Sequence, residues 1–216
     1  MGLRLEATYY RVALWIGLFF WLTFDRDLAG VYLFMLVGDF LYRTLDGHVS
    51  FPIWGGRSIA LTVVEAAAAL GVFFGVSTVL VRASGTESVF DLWSAGTPIL
   101  AGSVALTYLG WAMFAPSIES NFVGRTLDVM DGMFGPLGTK ITVAVVLAIV
   151  FVAGAFTILH LQAKALQTRP LMMTFLFFAI QALLILRQRS TAGAILMHVA
   201  NNTLAVATSF GHIKDL

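Results

Sequence analysis

The chain has 216 residues, of which 59% are hydrophobic and 12% charged, and its mean hydropathy is +0.88. That balance lies far from the soluble average and leaves no room for a separate water-soluble domain, because crossing the hydrocarbon takes about 20 apolar residues per helix and about six to eight crossings use up the length. A net charge of +1 with scattered basic residues argues against nucleic acid as a partner, and the absence of cysteine removes disulfides and thiolate ligands, leaving His, Asp, Glu and Asn as metal donors.

In chain order, apolar runs predict helices over residues 8–24, 28–45, 58–81, 92–115, 140–161, 170–186 and 191–210. The expectation is an all-α, polytopic transmembrane bundle of about seven to eight helices, forming one integral-membrane domain over residues 1–216. The first run follows Arg4 with no small-residue cleavage site after it and reads as a transmembrane helix. The loop 48–57, with Pro52, two glycines and Trp54, reads as an interfacial connection. Basic residues slightly favour an amino terminus inside. The segment 116–139 is the exception: it mixes Glu119, Asn121, Arg125, Asp128 and Asp131 with apolar residues, and either continues the fourth helix or lies at the interface. Gly132, Gly135, Pro136 and Gly138 are expected to break any helix there.

Three polar patches interrupt these runs. An ionisable group at the bilayer centre costs roughly 3 kcal/mol or more, so it usually faces a bundle interior, a partner or a water-filled cavity. Glu119 follows Pro116, with Arg125 six residues on; a partly desolvated carboxylate can act as a general base for water, or simply face the aqueous interface. Phe156 and His160 are four apart and share a helix face, which equally describes a helix-end histidine at the interface. His198 and Asn202 share a face of the last run beside Asn201, where they either donate to an oxyanion or bond between helices. Glu65 and Asp39 are also unusual inside their runs, and each reads as a structural partner for an internal Arg or His.

Taken in order and spacing, these patches resemble the CAAX protease and bacteriocin-processing (CPBP) family of intramembrane proteases, which includes the type II prenyl endopeptidases. The family pattern is two adjacent glutamates with an arginine four after the second, then Phe-x-x-x-His, then His-x-x-x-Asn. Phe156 to His160 fits the second element and His198 to Asn202 the third, within a similar core of about residues 95–210. The first element departs from the pattern: with Glu119 as the first glutamate, Ser120 stands at the second, Gly124 at the arginine, and Arg125 comes one residue late.

The resemblance implies peptide-bond hydrolysis in a membrane-associated peptide or protein, with Glu119 as general base, His160 holding the water, and His198 and Asn202 stabilising the oxyanion. Arg125 and Phe156 would support them. A divalent metal such as zinc between Glu119, His160 and His198 is left open, since a carboxylate and two imidazoles can bind one and a glutamate-activated water needs none. Ser120 and Gly124 motivate the alternative of a catalytically impaired scaffold or accessory subunit acting with a membrane-protein partner. A small transporter ranks last, lacking an evident inverted repeat. The expected location is the lipid bilayer as a multi-pass protein, the plasma membrane of a prokaryote.

Overall fold

Where apolar side chains outnumber polar ones over some 17 to 25 positions, the backbone satisfies its own hydrogen bonds as helix. The computed structural model describes residues 2–24, 26–45, 51–83, 103–138, 140–161 and 168–210, and among them there is helix and no strand. The elements are α1 (Gly2–Phe24), α2 (Arg26–Leu45), α3 (Ile59–Ala83), a composite α4, α5 (Val143–Leu159), α6 (Thr168–Gln188) and α7 (Ala192–Ser209). Helix α4 runs through Val104–Thr107, a π-helical stretch Tyr108–Phe114 and then Ala115–Phe134. These seven match the expected all-α bundle, though residues 92–102 of the predicted fourth run lie outside the described residues, as do His48 and the start of its loop.

The polar segment resolves in favour of continuation: 116–134 extends the fourth helix. Pro116 falls in the first turn of the Ala115–Phe134 part, directly after the π-helical stretch, where the helical hydrogen-bond ladder is already irregular. Gly132 does not break the helix, contrary to expectation; the end comes at Gly135, whose φ of +80° is open to glycine and strained for other residues. This helix is the hub, packing against α1, α2, α5, α6 and α7, while α3 lies against α6 and α7 and the π-helical stretch against α7. Its polar residues are tolerated because they face neighbouring helices: Glu119, Ser120 and Asp128 are buried, as are Ile118, Val123 and Leu127.

The outward faces are strongly apolar. Trp15 and Phe19 of α1, Phe34 and Phe40 of α2, Val64 and Val79 of α3, and Val150 and Phe151 of α5 are all exposed. Among the described residues, two helices are long and apolar enough to cross a membrane, Ile59–Arg82 and Pro170–Gln188, and Leu28–Leu41 within α2 and Val143–Leu159 are shorter apolar stretches.

Both unusual acids have the kind of partner expected of them. Asp39 lies 3.5 Å from Arg11. Glu65 accepts from Arg57 Nη1 at 2.8 Å, Arg187 Nε at 2.9 Å and Gln188 Nε2 at 3.0 Å, tying α3 to the end of α6 and to the segment before α3. Gln188 in turn accepts from the Gly193 N–H through Oε1. Because Arg187 is largely exposed its pair adds little, and the Arg57 and Gln188 bonds carry the effect. Glu65→Ala is expected to cost about 2–3 kcal/mol, seen as a Tm lowered by several degrees in detergent; an unchanged Tm would show that the network does not hold the fold.

Candidate active site

Three helices deliver the three patches to one place. Glu119 lies in the second turn of the Ala115–Phe134 part of α4 and is buried. His160 is the C-cap residue of α5, and its Nδ1 lies 2.7 Å from the Phe156 carbonyl oxygen. A carbonyl only accepts, so Nδ1 carries a proton, and in the neutral imidazole Nε2 presents its lone pair. His198 lies two turns into α7 and is buried. His160 Nε2 and His198 Nε2 each stand 3.9 Å from the same atom, Glu119 Oε2. The histidine that sequence placed at a helix end is at a helix end, and it also faces the glutamate.

The approach of α7 is set by its own start. Backbone N–H groups at a helix N-terminus lack partners within the helix; here Thr191 N donates to the Pro52 carbonyl at 2.9 Å and Ala192 N to that of Ile53 at 3.0 Å. Thr191 Oγ1 donates to Asn121 Oδ1 at 2.8 Å, linking α7 to α4. Gly124 permits this closeness: a Cβ there would lie 2.5 Å from Thr191 Cγ2, inside any real contact. Ser120 and Gly124, four apart, therefore make a small-residue face on which α7 rests. A side chain as large as arginine has no room at Gly124 in this packing.

Phe156, expected to support the centre, is buried, stacks on Phe178 at 4.2 Å between centroids and meets Phe122 edge-on at 5.7 Å. Phe177 contacts the His198 ring at 4.8 Å, and Phe178 lies 5.5 Å from the His160 ring. This apolar wall excludes water from the back of both imidazoles and strengthens electrostatic interactions in front of them. Arg125 has a different setting from Glu119: Nη1 is 3.5 Å from Asp128 Oδ2, the guanidinium lies 6.0 Å from the Tyr10 ring of α1, and Asp128 Oδ1 accepts from Phe51 N. Its contacts brace α4 against α1 and the segment that seats α7.

Asn202 follows His198 by one turn on the same face; its Nδ2 donates to the Trp111 carbonyl at 2.9 Å and its Oδ1 accepts from Asn201 Nδ2 at 3.0 Å. Trp111 belongs to the π-helical stretch, whose wider ladder leaves carbonyls open to outside donors. Among the described residues, no group of three His, Asp or Glu side chains stands at metal-binding geometry, and the two imidazole Nε2 atoms each stand 3.9 Å from Glu119 Oε2.

Sequence reading missed Ser120 and Gln181 as participants. Ser120 Oγ donates to Gln181 Oε1 at 3.2 Å and lies 3.5 Å from His198 Nδ1. The available signal was Gln181 itself, an amide inside an apolar membrane-length run, which needs a partner as much as an ionised group does.

Fold and centre together define an all-α bundle with a glutamate and two histidines gathered in its interior. Residues 121–204 match the model of the Type II CAAX prenyl endopeptidase Rce1-like family. That span holds the second and third elements of the CPBP pattern, Phe156 to His160 and His198 to Asn202, and the matched family is membrane-embedded. The match takes in His160, His198 and Asn202 and starts just after Glu119 and Ser120. No curated protein and no solved structure matches the chain.

Proposed function

We propose that this protein is a multi-pass intramembrane endopeptidase that hydrolyses a peptide bond in a membrane-associated peptide or protein. The observation that carries the reading is the pair of imidazole Nε2 atoms at 3.9 Å from one Glu119 oxygen. That separation exceeds a direct hydrogen bond, and a water at about 2.8 Å from both Glu119 and His160 closes a triangle. Such a water donates one proton to the carboxylate and the other to the His160 lone pair, which raises its nucleophilicity toward a carbonyl carbon. His198 then faces the developing oxyanion, and Asn202 one turn on extends the polar face. As the tetrahedral intermediate collapses, Glu119 returns the proton to the leaving amine. The outward-facing aromatic and aliphatic residues of α1, α2, α3 and α5 favour lipid as the surrounding medium, since so continuous an apolar surface is unstable in water.

His160→Ala, reconstituted in liposomes with a membrane-anchored peptide reporter, is expected to lower cleavage by about a hundredfold or more. Turnover equal to wild type would remove His160 from the chemistry. The second reading, an impaired scaffold or accessory subunit, is favoured by Ser120 and Gly124 standing where the family pattern has charged residues. A stably co-purifying membrane protein together with no cleavage by wild type would support it.

A further inference from the structure

We infer that Gln181 and Ser120 form a hydrogen-bond relay that sets the tautomer of His198, holding its proton on Nε2 where the substrate's oxyanion develops. The inference rests on the hydrolytic reading above and assigns positioning roles to Gln181, outside the family's motifs, and to Ser120, which departs from the first of them.

The relay is built from three buried side chains. Ser120 is fully buried and so is Gln181, and His198 is 5% exposed. Ser120 Oγ sits between Gln181 Oε1 at 3.2 Å and His198 Nδ1 at 3.5 Å. A hydroxyl has one proton, so the chain runs in one of two directions. In the first, Ser120 donates to Gln181 Oε1 and accepts from His198 Nδ1–H, leaving a lone pair on Nε2. In the second, the amide is turned by half a rotation, Gln181 Nε2 donates to Ser120 Oγ, and the hydroxyl proton goes to His198 Nδ1, leaving Nε2–H. The two ends of a carboxamide differ only in the network they meet.

Two observations select the second direction. With Oε1 toward Ser120, Gln181 Nε2 is buried with no hydrogen-bond partner, and an orphaned buried N–H is the rarer and costlier defect compared with an under-satisfied carbonyl. Turning the amide brings one of its N–H groups onto Ser120. Independently, Glu119 Oε2 already faces the His160 lone pair, because the Phe156 carbonyl holds the proton on His160 Nδ1. A lone pair on His198 Nε2 would put a second acceptor 3.9 Å from the same carboxylate oxygen; an N–H there is attracted instead. The two histidines thus carry opposite tautomers, one accepting from water and one donating to the oxyanion. Ser120 occupies the position of the family's second glutamate, and the relay gives that departure a role in place of an ion pair.

The test is the tautomer of His198 by ¹⁵N NMR in ¹⁵N-histidine-labelled protein in nanodiscs, with kcat and KM measured in parallel. Wild type is expected to show His198 protonated on Nε2. Ser120→Ala and the volume-conserving Gln181→Met should each shift it toward a mixture and lower kcat by about tenfold to a hundredfold, with KM changed by less than about twofold. Wild type protonated on Nδ1, or either variant retaining pure Nε2–H, would overturn the relay. Because the tautomer is read without turnover, an inactive wild type showing this response would sink the hydrolytic reading and leave the relay standing.

Discussion

Glu119→Gln is expected to reduce kcat by about a thousandfold or more, within the range attributed to general-base catalysis together with the electrostatics of a water-excluded site. The amide keeps the size of the carboxylate and loses its capacity to take a proton, so the packing of α4 and the burial of Glu119 should survive, and Tm should hold within a few degrees. The sharper expectation concerns the double variant. Glu119 Oε2 and His160 Nε2 stand 3.9 Å apart and are argued to act on one water, so Glu119→Gln with His160→Ala should be little worse than Glu119→Gln alone. Additive losses would mean that the two side chains act on different atoms or in different steps.

The second large effect concerns Gly124, and its direction opposes intuition from the family pattern. Gly124→Arg places an arginine where the pattern has one, yet it is expected to damage the protein. A Cβ at this position would lie 2.5 Å from Thr191 Cγ2, and the remainder of the side chain would have to pass between α4 and the start of α7. Overpacking of this kind typically costs about 1–3 kcal/mol even for smaller insertions, which for a chain of this size corresponds to a Tm lower by roughly 3–10 °C. Moving α7 also moves His198, so activity should fall together with stability. Gly124→Ala should show the same effect in milder form. A Gly124→Arg variant with wild-type Tm and raised activity would show that the missing arginine is a defect, and that the small-residue face of Ser120 and Gly124 is not an alternative construction.

What the sequence revealed of this arrangement follows from what each signal measures. Hydrophobic runs report helices well because a bilayer-length apolar stretch has few other ways to satisfy its backbone, and α3, α6 and α7 start and end within a few residues of expectation. The hub was the hardest element to read. Helix α4 beyond Pro116 is buried among other helices and carries polar residues toward them, so its composition resembles an interfacial segment; burial there comes from tertiary contact, which local hydropathy does not measure. Gly132 misled for a related reason, since a glycine inside a helix costs only about 1 kcal/mol and packing readily overrides it, whereas Gly135 ends the helix through a positive φ.

The site was legible in the spacing of Phe156 to His160 and His198 to Asn202, because four residues is one helical turn and brings each pair to one face. Convergence of those faces with Glu119 depends on the rotation of three separate helices, fixed by contacts such as Thr191 with Asn121 and Phe156 with Phe178, none of which a single run of sequence contains. Arg125 illustrates the limit: proximity in sequence suggested support of Glu119, while the structure pairs it with Asp128 and sets it over Tyr10.

The most direct measurement is a mass-spectrometric comparison of new peptide termini in liposomes that contain a pool of membrane-associated proteins and either wild type or Glu119→Gln. The account predicts termini that appear with wild type, increase with time and are absent with the variant. Identical termini in both samples, or none with folded wild type, would contradict the claim that Glu119 activates water for peptide hydrolysis in this bundle.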